Sequence, residues 1–562
     1  MDLRNRRHWI APTLIVLASL AAAAPAAADV PPPSGYSLTS AQAIEIAKKS
    51  SDVAAEERAH GHLAPSAQTK NSNWEVGFYK GDRELVLVIV NDATHKVQES
   101  WTGYQVAWQM ARGYPGAFGR KINAPYIWLP LCAAFLLGLF DWRRWRRVVH
   151  LDLLVLLGFG VSNYFFNSAN IGVSVPLVYP VLAYLLARML WIGFRGRGEG
   201  LRPTLRTGWL ALGVIFLLSF RVAVNLADSN VIDVGYAGVI GADRATHGKP
   251  IWGDHAFPSD NQTGDTYGPV NYYAYVPFEL AFPWSGGWDD LPAAHGATVA
   301  FDLLAVAGLF FLGRRIRPGP AGTRLGVVLA YAWSAYPYTA YALESNSNDT
   351  LVAALIIGAL LLIASPAGRG AMTALAGWTK FAPLALAPLF AVGVREAEPG
   401  EPTPSGLRRW FALPPLQPLA LFAIAFVAVS VLVLAGPAVD PGLGTFWHRT
   451  FSSQANRDSP FSVWGQASLG GLHVIVEALT LLLAVAVAFT PRRRNFRQVA
   501  ALGAAVMIAV ELCLHHWFYL YIPWFFPLLA VAIALGSEAS ATEPVAVPSE
   551  ESREVEPAPA PA

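Results

Sequence analysis

The residues best suited to chemistry lie in a few short polar stretches between long apolar runs. Asp228 and Asp233 follow an apolar run over 207–226, and Asp243, Arg244 and His247 come next. Tyr267, Tyr272, Tyr273 and Tyr275 form an aromatic run in the same stretch. Further on stand Glu344 to Asp349 (ESNSND), the run Trp447-His448-Arg449 that continues through Arg457 and Asp458, and His515-His516-Trp517. Carboxylates and imidazoles of this kind can exchange protons, and cations can hold anions. No familiar spacing fixes which. HGKP at 247–250 lacks the glycine placement and the Ser/Thr of a phosphate loop, and adjacent His515 and His516 point about 100° apart on a helix, unlike the i, i+4 pair of a zinc helix. Asn261-Gln262-Thr263 fits a glycosylation sequon, a pattern that chance often produces. Arg221 lies inside an apolar run, where a charge is costly and faces either a polar cavity or, by snorkelling, the surface.

The elements that must position these residues are membrane helices. Of 562 residues, 54% are hydrophobic and only 14% charged, too little charge to cover a soluble protein of this size. The net charge of +2 comes from short basic clusters and does not point to nucleic acid. Cys132 and Cys513, the only cysteines, lie in apolar runs and exclude a disulfide framework or a cysteine metal site. Runs able to cross a bilayer core of ~30 Å are expected near 123–141, 148–165, 171–194, 207–226, 297–313, 325–343, 350–364, 413–436, 467–490, 498–514 and 517–536. Arginine clusters at 143–147, 195–206, 314–324 and 492–497 fall in alternate loops. The positive-inside rule therefore makes those loops cytoplasmic and puts the polar stretches, including the long loop 227–296, on the other face. The apolar stretch 371–393 has arginines on both sides. It is too short for two full crossings at 1.5 Å per residue, so a re-entrant pair broken near Thr379 to Pro383 is expected, packed in protein or lining a cavity.

The first 28 residues read as a signal peptide: Arg4, Arg6 and Arg7, a short apolar core, then Ala26-Ala27-Ala28. The competing reading is a retained anchor. A Pro-rich linker leads into a small soluble domain over 37–117. Thr39 and Gln42 form a capping-box pattern ahead of a helix over Ser40–His60. Alternation predicts strands around 74–78, 85–90 and 96–101, and Tyr104–Arg112 a closing helix. The Ala-, Pro-, Glu- and Ser-rich tail 537–562 reads as a disordered cytoplasmic segment.

Two resemblances follow. A helix and a strand meander carrying VNDATHKV resemble the PepSY domain, which implies a binding or regulatory module. The stretches DVGYAGVIGADRATHGKPIWG from Asp233 and TYGPVNYYAYVPFEL from Thr266 resemble the first external loop of glycosyltransferase family 87. ESNSNDTLVAALIIGALLL, ALAGWTKFAPLALAPL and HHWFYLYIPWFFPLL resemble that family's later helices. Trp252 stands where the family has another aromatic, and YGPVNYY replaces a simpler Pro-rich form. The likeness covers roughly 207–536 and implies a polytopic α-helical GT-C-like fold, with about eleven transmembrane helices and the re-entrant pair. The helices over 123–194 are three additions before that core.

The resemblance further implies transfer of a hexose or pentose from a polyprenyl-phosphate donor to a cell-envelope acceptor outside the cytoplasmic membrane. Asp233 would be the base that takes the acceptor proton, with Asp228 the alternative. His515, His516, Arg449 and Lys380 would face the donor phosphate, although Lys380 in the re-entrant piece would then lie nearer the cytoplasmic side. Tyr236, Trp252, Tyr267, Tyr272, Glu344 and Asn348 would line the substrate site. No cofactor and no dedicated metal site are expected, Asp228 with Asp233 being the one place for a divalent ion. A transporter is the main competing class, since broken helices also suit transporters. A regulatory membrane protein working through the small domain is the other.

Overall fold

The computed structural model describes residues 31–70, 72–113, 120–396, 411, 413–452 and 459–536. The expected signal peptide, the tail, Arg457 and Asp458 lie outside them. The chain divides into two compact units between Arg112 and Gly113.

In the first unit four strands form an antiparallel sheet in sequence order, β1 (Ala64–Lys70), β2 (Asn73–Lys80), β3 (Arg83–Asn91) and β4 (Lys96–Thr102). Trp74, Val76 and Phe78 pair with Val90, Val88 and Val86, so one sheet face is continuously apolar. That face packs on Ala43, Ala47 and Val53 from two short helices. The capping box forms as the sequence indicates: Gln42 N donates to Thr39 Oγ1, and Thr39 N donates to Gln42 Oε1. The single helix expected over 40–60 is two, Ser40–Ala47 and Ser51–His60, because Ser50 turns extended and caps the second through Asp52 N. Asp92 closes the domain. Its carboxylate accepts from Ser37 N (2.7 Å), Leu38 N (3.0 Å) and Trp74 Nε1 (3.0 Å), tying the helix entry to the sheet.

The second unit is a helical bundle. Among the described residues, seven helices are long and apolar enough to cross a membrane: Val148–Asn167, Ile171–Arg195, Thr207–Asp228, Pro292–Ile316, Leu416–Val439, Gly470–Phe489 and Phe496–Cys513. Shorter apolar helices cover Pro125–Leu139, Asp349–Leu361, Ala382–Val392 and Tyr519–Ala534. The run expected over 325–343 is broken at Tyr336, where Pro337 ends Gly319–Ala335 and starts Pro337–Glu344. Arginine-rich loops meet at one end of the bundle. Arg324 donates to Pro203 O and Leu205 O, Arg497 to Gly198 O, and Arg395 and Arg494 exchange backbone hydrogen bonds. Pro292–Ile316, at 25 residues, runs from there to the opposite end, where loop 229–291 lies.

The broken element appears as a hairpin. Helix Pro366–Gly377 rises to a tip at Trp378–Phe381, and the chain returns through Ala382–Leu386 and Ala387–Val392. Arg369 donates to Phe390 O and Ile363 O, so both feet stand together at the arginine end.

Candidate functional site

Loop 229–291 folds as a layer on the bundle end. Its helix Asp233–Thr246 lies close because glycines face inward. A Cβ on Gly235 would stand 2.1 Å from Asn346 O, and one on Gly241 2.1 Å from the Tyr272 ring. The loop start pairs with the polar segment below it: Asn230 N donates to Glu344 O and Ile232 N to Ser345 O. Asn346, at φ +48°, donates through Nδ2 to Ser229 Oγ and Asn230 O, and accepts from Asn225. Every residue from Glu344 to Thr350 is fully buried.

The hairpin tip reaches the same layer. Val270 N donates to Trp378 O, and Gly268 sits where a Cβ would be 2.0 Å from that oxygen. Lys380 Nζ donates to Asp349 Oδ1 at 2.6 Å, and Trp524 Nε1 donates to the same oxygen at 2.9 Å. The ammonium also lies over Tyr267, Tyr521 and Trp524, 5.7, 5.3 and 5.3 Å from the ring centroids, where ring quadrupoles favour a cation. Lys380 therefore stands at the loop end of the bundle, not toward the arginine end. The tip of the hairpin, rather than a foot, carries it.

Asp233 opens its helix with an exposed side chain, and its carbonyl accepts from Asn261 Nδ2 at 2.9 Å. Asp228 ends the preceding helix and is ion-paired with Lys121 at 2.6 Å. Arg449 grips the buried Asp265 with two hydrogen bonds of 2.6 and 2.9 Å, and has Asp254 at 3.7 Å. These bonds hold its already high pKa up. His516 Nδ1 lies 2.9 Å from Ser459 Oγ, whereas exposed His515 packs on the His473 ring. The histidine segment runs on to Tyr521 and Trp524, the rings beside Lys380.

Tyr236, Trp252 and Tyr272 differ from the expectation that they contact substrate. All three are buried at 0–2% exposure in the loop's own core. Tyr236 stacks on Trp288, Trp252 donates to Tyr267 O, and the Tyr272 hydroxyl donates to Gly264 O. They shape the loop. Half-buried Tyr267 alone of the four aromatic candidates meets Lys380. Asn348 Nδ2 donates to Asn271 Oδ1 at 2.6 Å. Both Glu344 carboxylate oxygens, Asn348 Oδ1, Asn271 Nδ2 and Asp349 Oδ2 are buried with no hydrogen-bond partner. Such a concentration of spare bonding capacity marks a place for water or a polar ligand.

Arg221 does not snorkel. It is 1% exposed and donates to Asp302 Oδ1 at 3.0 Å and to the carbonyls of Trp333 and Ser334. Asp349, Asp265 and Asp302 are the partners that sequence reasoning missed as site residues. Asp302 and Asp349 carried one signal, a carboxylate inside or beside an apolar run; Asp265, in the polar stretch SDNQTGDTYG, carried none. No protein-family model matches the chain, and no curated protein matches it in sequence.

Proposed function

We propose that this chain is a membrane glycosyltransferase that moves a sugar from a polyprenyl-phosphate donor to a cell-envelope acceptor on the extracytoplasmic face of the cytoplasmic membrane. The observation that carries the reading is Lys380. A hairpin broken at Trp378–Phe381 brings a cation under an aromatic loop, beside buried polar atoms with bonding capacity to spare. Irregular backbone in a membrane domain survives where it is packed in protein or lines a cavity, and a cation at its tip suits an anionic group entering from the bilayer.

In this reading Asp233 takes the proton of the attacking acceptor hydroxyl as that oxygen bonds to the anomeric carbon. The bond from that carbon to the phosphate oxygen breaks, and the lipid phosphate leaves with the electron pair. The exposed position of Asp233 suits a base that must reach a substrate. Lys380, Arg449 and His516, at the same end, offer N–H donors to the phosphate oxygens as their charge develops. Tyr267 offers its ring to the sugar or the prenyl chain.

The test supplies purified protein with polyprenyl-phosphate mannose and an envelope extract and follows donor loss. Turnover that Asp233→Asn leaves unchanged rejects Asp233 as base. No turnover with any donor, alongside solute flux in liposomes, selects the transporter instead. Labelling of a cysteine placed at 262 from the cytoplasmic side rejects the orientation.

A further inference from the structure

The bundle carries a lateral groove of about 1240 Å³ between helix Pro125–Leu139 and the stretch Leu157–Ser168, above the ~300–1,000 Å³ of ordinary small-molecule sites. Its walls are apolar, with Tyr126, Trp128, Leu129, Val161 and Tyr164 facing it. Leu129, Val161 and Tyr164 are more than half exposed. Gly160 keeps it open: a Cβ there would touch Trp128 Nε1 at 3.3 Å. From Leu157 to Ser168 the wall rises ~16 Å at 1.5 Å per residue, about half of a ~30 Å bilayer core. The groove thus has the depth of one leaflet, and its polar end is the loop end of the bundle.

That end has a defined chemistry. Lys121 and Asp228 form an ion pair of 2.6 Å, so the charges cancel. Asn123, Asn167 and Ser168 stand beside them. Asn163, only 4% exposed, donates to Asn123 Oδ1 at 2.9 Å while its own Oδ1 is buried without a hydrogen-bond partner. A lipid phosphate would meet a neutralised lysine and the Asp228 carboxylate, which repels it. A hydroxyl-rich headgroup finds carboxylate and amide acceptors together with ammonium and amide donors.

We infer that this groove binds one outer-leaflet lipid with an uncharged glycosyl headgroup, its hydrocarbon chain along Leu129 and Val161 and its sugar at Lys121, Asp228 and Asn163. The inference rests on the glycosyltransferase reading in one respect: the lipid would be the acceptor, delivered where Asp228 leads into the loop that carries Asp233. In that reading the donor phosphate lies elsewhere, at the Lys380 end.

The test reconstitutes the full chain in nanodiscs with diazirine-tailed glycosyl-diacylglycerol, tail-matched phosphatidylglycerol or polyprenyl phosphate, then maps cross-links. The glycolipid is expected to label 126–132 and 157–164 preferentially. Two groove-filling variants, Leu129→Trp on the lipid-facing side and Gly160→Leu, should each cut that labelling about tenfold, as a loss of ~1.4 kcal/mol would. Asn163→Leu should erase the headgroup preference while keeping tail labelling. Equal labelling by glycolipid and phosphatidylglycerol, or preference for polyprenyl phosphate, overturns the inference. Preferred glycolipid labelling without sugar transfer when polyprenyl-phosphate mannose is added keeps the groove and rejects the glycolipid as the acceptor. Transfer to the glycolipid that both filling variants leave intact keeps the enzyme and rejects the groove.

Discussion

Replacing Lys380 with Met removes the cation from a pair whose side chains are 10% and 0% exposed. The Asp349 carboxylate is left with the Trp524 indole as its remaining hydrogen bond to that oxygen. Breaking one partner of such a buried pair typically costs ~3–5 kcal/mol, because an uncompensated charge stays behind. Asp349→Asn strands the ammonium and should cost a similar amount. The double variant, Lys380→Met with Asp349→Asn, removes both charges and keeps an acceptor for Trp524. It should be more stable than either single variant, whereas independent effects would sum to about 6–10 kcal/mol. Reversible unfolding of purified protein in mixed micelles, followed by tryptophan fluorescence, measures all four corners of the cycle. Additive losses, or singles that cost under about 1 kcal/mol as exposed pairs do, would refute a buried, coupled pair. Donor turnover separates the roles: the double variant should fold and yet fail to turn over.

Three further predictions concern other parts of the chain. Asp233→Asn should lower turnover by roughly 10²–10⁴-fold, the usual contribution of a general base, as donor loss in a folded variant would show. Burial would raise the Asp92 pKa, but hydrogen bonds from Ser37, Leu38 and Trp74 outweigh it and hold the carboxyl below its ordinary value. Its contribution to stability is therefore present above the unfolded carboxylate pKa and lost as pH falls through the lower folded one; hydrogen exchange of β2 and β3 should rise over that acid window in the native chain and lose that dependence in Asp92→Asn. Gly235→Ala should destabilise the seat of helix Asp233–Thr246 by ~1–3 kcal/mol through overpacking, since the added Cβ meets the Asn346 carbonyl, and limited proteolysis of loop 229–291 should quicken.

Much of the architecture was legible because its signals are local. Apolar length marks a helix, alternation marked β2 and β3, and Thr39 with Gln42 marked a helix start. Alternating arginine loops pointed to a shared end, where Arg324, Arg395, Arg494 and Arg497 do meet carbonyls of neighbouring segments. Strand β1, APSAQTK, was invisible because it has no apolar alternation and is held by pairing with β2. The break before Ser51 was obscured by a run that satisfies helix propensity on both sides.

The site was legible in its residue types and not in its pairings. Lys380 and Asp349 are 31 residues apart, and Arg449 and Asp265 are 184 apart. Nothing in spacing links them until the hairpin and the loop are folded. The aromatics misled for a physical reason: tyrosine and tryptophan serve a loop core and a ligand equally well, and burial decides between them. Tyr236 and Tyr272 are fully buried, while Tyr267 keeps part of its surface.

The buried segment Glu344–Asp349 also sets an order of events during synthesis. Its asparagine partners Asn225, Asn230 and Asn271 precede it in the chain, whereas Lys380 and Trp524, the partners of Asp349, follow it. Asn271 is made 77 residues before Asn348, which at ~5–20 residues per second is a lead of about 4–15 s. The loop thus has time to begin folding before this polar stretch arrives. The amides of the stretch then dock on a surface already formed, while the Asp349 carboxylate waits for Lys380 and Trp524, which come later in the chain.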